Sequence, residues 1–555
     1  MSFDSLQESV PFNARYDYPD KSIKTRKVTP RIPPFSGDTF LPDQVIRLEF
    51  PDQGYLNPLN TTIEFDVTLL GPVVTTAGVD GLVDPEDPES ATAYYSVSGS
   101  ALIYFQNNIQ SIFNRVRIMY GSTPLEDIIS YNQIVRNLTE WTGTNQTITY
   151  DQQSISEGIG GIVQATSVAL SVTTLMNTRA RYIQSLSGNF DTGNFDPDSF
   201  GNVPNSAGGV SCDSSSVGRW ACTRRYQIQL TGSGFMTQDK LIPLKFMASQ
   251  LAIELTLGNP ESCIMQRGNW SLLGAIPEFS SAVAPVFASP VVPTYTVSGV
   301  NLIPEILEFD SQYDSLFLRG MQSGGGIPIK FASWHSYQYS TKGGSTCRLQ
   351  INEGSKSIKA MFCVQTAPSS YTIDSHATVD GSGTNSVLKN YQWKIGNTYY
   401  PPSPVQGTLL KYPLVTNNGC EAFIELQKAL AVVGNHSLST SMNTMKWSVP
   451  SSTVSVKLGD YIYYPTIFDS IGSIATTTIY SPYSSTFGAS CYCAAINLET
   501  SNGIDISGIN AQDTAEIAFI GQWSNAQNST YTLTVFVYYD AICVLKPNNI
   551  VELIQ

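Results

Sequence analysis

Ile63, Phe65, Val67 and Leu69 alternate with Thr62, Glu64, Asp66 and Thr68, a period of two that predicts a half-buried sheet strand with one apolar face. Far along the chain, Leu533, Val535, Val537 and Tyr539 alternate with Thr532, Thr534, Phe536 and Tyr538. Both faces are apolar there, which predicts a strand covered on both sides. Further strands are expected at Tyr226, Ile228 and Leu230, at Leu241 to Phe246, and at Leu251, Ile253, Leu255 and Leu257, which together close a first sandwich. A second half opens with strands around Ile306 to Phe309 and Leu316 to Leu318 and continues with a buried strand from Ile358 to Val364.

Two segments break this period. After Ile109, Ile112 and a strand at Val116 to Met119, the chain turns at Gly121-Ser122; Leu125, Ile128, Ile129, Val135 and Leu138 then fall near helical spacing. Pro124 suits a first helical turn, and Glu126 and Asp127 suit its positive end, so the expectation is strand, tight turn and short helix. Glu421 to Val433 predicts a second helix with Phe423, Leu426, Leu430 and Val433 turned inward.

A chain of 555 residues exceeds the roughly 250 to 300 residues that one core supports. The expected class is all-β, with two tandem eight-stranded jelly rolls (a double jelly roll), short helices and long loop insertions. The expected division is an extended basic arm at 1–34, a first jelly roll at 35–275 with a long loop insertion at about 140–222, and a Pro/Val/Ala-rich linker at 276–300. A second jelly roll at 301–545 and a C-terminal tail at 546–555 follow. The duplication is architectural, because no residue-by-residue repeat accompanies it.

Charged residues make up only 14%, against about 25% in ordinary soluble domains. That depletion fits a protein with extensive surface buried against partners. A net charge of −14 repels phosphate backbones, so specific nucleic-acid recognition is not expected. The exception to the acidic balance is the arm, where Lys21, Lys24, Arg26, Lys27 and Arg31 run up to Pro33-Pro34. It is expected either to tether the chain to a neighbouring subunit, an anionic membrane or packaged DNA, or to be a solvated terminus. Nine cysteines, mostly in apolar strand-like runs, are expected to be reduced core thiols. Met1-Ser2-Phe3-Asp4 carries no secretory signal, and Ala282 to Pro293, interrupted by three prolines, falls short of the ~20 residues of a membrane helix. A cytosol-like site of synthesis is expected.

Catalytic chemistry is scarcely represented. His335, His376 and His436 are dispersed, and no Gly-x-Ser-x-Gly elbow or phosphate-binding loop occurs. Gly324-Gly325-Gly326 lacks strand–helix context and is expected to be a turn. Cys491-Tyr492-Cys493 is too close for a Cys-x-x-Cys site, and Asp191-Thr192-Gly193 lacks the second copy an aspartic protease needs. Asp84, Glu86, Asp87 and Glu89 could hold calcium but alternate with Pro85 and Pro88 as a solvated loop does. Asn60, Asn137, Asn145, Asn269, Asn435 and Asn528 begin formal glycosylation sequons, which carry little weight without a signal peptide. No catalytic residue, metal ligand or cofactor is nominated, and the chain is not expected to be an enzyme. Seven Trp, 29 Tyr and 24 Phe could stack on sugars, although core and interface packing is their commoner use.

Several segments, in order, resemble the double jelly-roll major capsid proteins of virophages, Polinton-like viruses and the adenovirus–tectivirus-like lineage. They are Phe50-Pro51 through Gly54-Tyr55-Leu56-Asn57-Pro58, Asn114 to Ile118 with Leu125-Glu126-Asp127-Ile128 and Tyr131-Asn132, and Leu241 to Lys245. In the second half they are Ser357 to Phe362, Trp393 to Gly396, Tyr399-Tyr400-Pro401-Pro402 and Tyr538-Tyr539-Asp540. The resemblance implies a homotrimer in which six jelly rolls make a pseudo-hexagonal capsomer tiling an icosahedral shell. Its partners would be neighbouring capsomers, penton and minor capsid or cement proteins, with an inner membrane or packaged DNA met through the arm. The place implied is the virion, after assembly in the host cell. The competing readings are a carbohydrate-binding β-sandwich fibre or adhesin and a β-sandwich hydrolase with paired carboxylates at an unrecognised spacing.

Overall fold

The computed structural model describes residues 25–73, 102–105, 109–142, 190–191, 210–213, 219–267, 294–323, 326–341, 344–366, 388–411, 414–434, 493–500, 507–512, 516–527, 531–546 and 551–554. The acidic cluster at 84–89, His376, His436, Cys491, Gly324-Gly325, Lys21 and Lys24 lie outside them.

In the first half the main strands are β1 (Thr25–Val28), β2 (Val45–Glu49), β3 (Tyr55–Val73), β4 (Phe113–Tyr120), β5 (Thr123–Ile129), β6 (Val210–Asp213), β7 (Arg219–Ile228), β8 (Leu251–Leu257) and β9 (Thr294–Phe309). They form two sheets ordered β1-β9-β3-β7-β6 and β2-β8-β4-β5. Every pairing is antiparallel, and β8 lies between β2 and β4, with Ile253 opposite Leu48 on one side and Ile118 on the other. Such long-range pairing closes a roll rather than a meander. Ile46, Leu48, Ile63, Phe65, Val67, Val116, Ile118, Ile253 and Leu255 fill the space between the sheets, the alternation expected of half-buried strands.

Thr123–Ile129 is a strand, not the start of a helix. Gly121, at φ +58°, closes a tight hairpin, and Arg115 Nε donates to Asp127 Oδ1 at 2.7 Å across it. Of the apolar positions, Leu125 and Ile128 are buried in the strand and Ile129 is exposed, while Val135 and Leu138 belong to the helix that follows, α1 (Tyr131–Thr142). The run at 241–246 is also not a regular strand: Ile242 bridges Leu56, and Leu244–Phe246 is a short 3-10 turn.

β9 spans position 301, where the second half was expected to begin, and pairs with β3 of the first sheet through Ile306↔Leu56 and Leu302↔Ile63. Leu316 to Leu318 lie in helix α2 (Ser311–Ser323), not in a strand. The described sheets of the second half begin with β10.

These strands are β10 (Ile327–Thr341), β11 (Gly344–Ile351), β12 (Ile358–Thr366), β13 (Leu388–Ile395), β14 (Thr398–Gln406), β15 (Ala494–Asn497), β16 (Ile517–Gln527), β17 (Tyr531–Leu545) and β18 (Val551–Ile554). One sheet runs β10-β17-β12-β15 with β18 also on β17, the other β11-β16-β13-β14. β17 is covered on both faces: Leu533, Val535, Val537 and Tyr539 are buried, and so is Phe536. Trp393 packs against Phe519 with ring centroids 4.8 Å apart. Helix α3 (Cys420–Val433) buries Leu426 and Leu430, as its periodicity predicts.

The cores of the halves join in one apolar cluster. Trp141 of α1 stacks on Phe362 of β12, centroids 5.6 Å apart, and Phe235 meets Phe331 edge-on at 5.3 Å. Among the described cysteines, Cys263, Cys363, Cys493 and Cys543 are buried thiols, while Cys420 is exposed.

Candidate functional site

The seam between the halves is organised around Glu126 of β5, whose side chain is fully buried. Oε1 accepts from Gly234 N at 2.9 Å and Ser333 Oγ at 2.7 Å. Oε2 accepts from Ser233 Oγ and from Phe235 N at 3.3 Å. Three of these donors sit in the turn that enters the short helix Gly234–Thr237, and the fourth is on β10. A Cβ at Gly234 would stand 1.6 Å from the carbonyl oxygen of Ala332, so glycine is what lets the two backbones touch. Burial pushes the Glu126 carboxyl above its ordinary range, against the opposing pull of its four donors. With both oxygens occupied by protein donors, Glu126 braces an interface and offers no vacant position to a substrate.

The arm lies along the outer edge of β9. β1 pairs with it from Thr25↔Phe309 to Val28↔Ile306, Ile32 bridges Leu302, and Phe40 faces Val297. Its basic side chains meet carboxylates of the same chain: Arg26 is 3.6 Å from Glu308, Lys27 contacts Glu305, and Arg31 is 3.5 Å from Glu64. Glu305 also accepts from Asn57 and Asn60 at 2.9 Å each. Burial acts to raise its pKa, and Lys27 with the two amides outweighs that, leaving the carboxyl below its usual range. The arm thereby covers a strand edge that would otherwise be open to pairing.

A second buried carboxylate, Glu353, accepts from Ser355 N at 2.9 Å, Ser355 Oγ at 2.6 Å and Tyr337 Oη at 3.1 Å, and its Oε2 lies 2.9 Å from His335 Nδ1. Burial would raise its pKa, but His335 and Ser355 outweigh it and hold the carboxyl low. His335 is thus a structural partner whose ring lies 4.2 Å from that of Tyr539.

Among the described residues no group of three His, Cys, Asp or Glu side chains is placed to hold a metal ion, and no helix is long and apolar enough to cross a membrane. Phe190–Asp191 forms a two-residue strand on Leu102–Phe105; Thr192 and Gly193 lie outside the described residues. Of the sequons, Asn137 is buried on α1 and Asn60 is engaged by Glu305. The sequence reading missed Ser233, Gly234 and Ser333, and it placed Glu126 on the wrong kind of element.

No protein-family model matches the sequence, and no curated protein matches it significantly. Solved structures match along nearly its whole length. The Sputnik virophage structure obtained by cryo-electron microscopy is 10% identical with a TM-score of 0.52, over 98% of this chain and 91% of that one. The fold is a double jelly roll. The Faustovirus major capsid protein is 7% identical with a TM-score of 0.50, over 98% of this chain and 94% of that one. The double jelly roll thus accounts for both halves together, with the Glu126 seam between them.

Proposed function

We propose that this chain is a major capsid protein whose role is structural, and that three copies assemble into a pseudo-hexagonal capsomer that tiles an icosahedral shell in the virion. The observation that carries the reading is end-to-end coverage: the likeness takes in 98% of this chain and 91% of the Sputnik structure. The depletion of charge supports it, since obligate interfaces commonly bury about 2,000–5,000 Å² of surface poor in charged groups. Assembly then proceeds by complementary surfaces without a chemical step between copies. Neighbouring capsomers, penton and minor capsid or cement proteins are the proposed partners. The proposed inner-surface or neighbour contact of the arm involves Lys21 and Lys24 together with Arg26, Lys27 and Arg31, the last three in competition with their partners within the chain. Negative-stain imaging of the purified native species tests the reading: particles of hexagonal outline support it, and uniformly small, featureless monomers oppose it.

A further inference from the structure

The second half holds one lysine against two carboxylates in a nearly closed site. Lys359 lies on β12 at an irregularity in its pairing with β17, between Ile358↔Tyr539 and Ala360↔Tyr538. Its Nζ is 3.5 Å from Oδ1 of Asp540 on β17 and 3.4 Å from Oε1 of Glu499, just beyond β15. The three side chains are 17%, 10% and 6% exposed, and the Tyr538 ring centroid is 5.9 Å from Nζ. The other oxygen of Asp540, Oδ2, receives Ser357 Oγ at 2.7 Å and Ser507 N at 3.2 Å. Ser507 Oγ donates to Glu499 at 2.8 Å, and Gly508 N donates to Ser357 Oγ at 2.8 Å.

We propose that Lys359 and Asp540 condense into an intramolecular amide bond, with Glu499 carrying the protons. The parts of an acyl transfer are gathered here: an amine 3.5 Å from one carboxylate oxygen of Asp540, two donors on the other oxygen, where negative charge develops, and a carboxylate base 3.4 Å from the amine. An ordinary ion-pair triad would keep three charges away from water, which is costly. Condensation leaves one, on Glu499, beside the new amide N–H.

The atoms balance within the site. Glu499 moves a first proton from the ammonium to Oδ1, leaving a neutral amine and a neutral carboxylic acid. The nitrogen lone pair then forms the bond to Cγ, and charge moves onto Oδ2 between Ser357 and Ser507. Glu499 moves a second proton from nitrogen to Oδ1, the Cγ–Oδ1 bond breaks with its electron pair, and Oδ1 leaves as water. No oxidant or outside reactant is needed. The bond would join neighbouring strands of one sheet and close the chain between 359 and 540 into a loop, restricting the unfolded state. The inference does not depend on the capsid reading.

Intact-mass measurement of the denatured full-length protein decides it. The wild type is expected about 18 Da below its sequence mass, one water lost per bond formed, and peptide mapping is expected to yield a branched species joining the segments that hold Lys359 and Asp540. Glu499→Gln, which keeps the side-chain shape, and Lys359→Met are expected at full sequence mass. A wild type at full sequence mass overturns the proposal, as does a water loss mapping to any other position. A cross-link that persists in Glu499→Gln overturns the assigned role of Glu499.

Discussion

Ser333 in the second half donates a hydrogen bond of 2.7 Å to Glu126 in the first, across 207 positions of sequence. Both groups are buried, and the same carboxylate also gathers the backbone N–H groups of Gly234 and Phe235. Ser333→Ala is expected to cost about 2 kcal/mol, the scale of a buried hydrogen bond to an ionisable group, and Glu126→Leu about 3 kcal/mol or more because it strands the backbone donors. Urea denaturation measures both. Midpoints unchanged from wild type would show that the seam does not depend on this carboxylate.

At Gly234 the backbones of the two halves approach closely. Gly234→Ala would press a methyl group into the Ala332 carbonyl, which belongs to backbone and cannot swing aside, so a loss of about 3 kcal/mol or misfolding is expected. Gly354→Ala is the control, since nothing lies within 4 Å of a Cβ there. Thermal unfolding of the two variants should separate them widely; equal melting temperatures would contradict the close approach.

The two buried carboxylates respond oppositely to pH. Glu353 has a lowered folded pKa, so its contribution is in place above the ordinary carboxyl value and is lost as pH falls through the folded value. Glu126 has a raised folded pKa, so its contribution is in place below the ordinary value and is lost as pH rises through the folded one. His335→Gln is expected to make acid unfolding of the chain begin at higher pH, and Glu126→Gln to remove part of the loss on the rising side. Stability profiles between about pH 2 and pH 8 read both signs. A His335→Gln profile superimposable on wild type would refute the first.

In the arm, Lys27 and the exposed arginines should differ. Arg26 is 77% exposed and its partner Glu308 40%, so Arg26→Ala should cost well under about 1 kcal/mol. Lys27 neutralises Glu305, which is only 8% exposed and held by two amides, so Lys27→Ala should cost more, about 1–2 kcal/mol. Removing residues 1–34 uncovers the β9 edge and is expected to promote aggregation of the isolated chain. A truncated protein that stays soluble with wild-type stability would show that the edge needs no cover.

The strands with clear alternation were legible because one face of each meets a core, as with Ile63, Phe65 and Val67 or Leu251 to Leu257. The misread elements are those where short-range spacing serves both periods. Leu125, Ile128 and Ile129 fit a helix only if the hairpin signal of Gly121-Ser122 after an alternating strand is passed over. The Pro/Val/Ala-rich stretch looked like a boundary, yet β9 follows it and completes the first sheet, because strand order is set by long-range pairing that composition does not encode. The Glu126 site was hidden for the same reason: its partners Ser233 and Ser333 lie 107 and 207 positions away.

The most direct test of the capsid account is the mass of the full-length native protein by light scattering at increasing concentration. The account predicts a stable species of three times 60.5 kDa, or larger closed assemblies built from it. A chain that remains at 60.5 kDa across the range would contradict it.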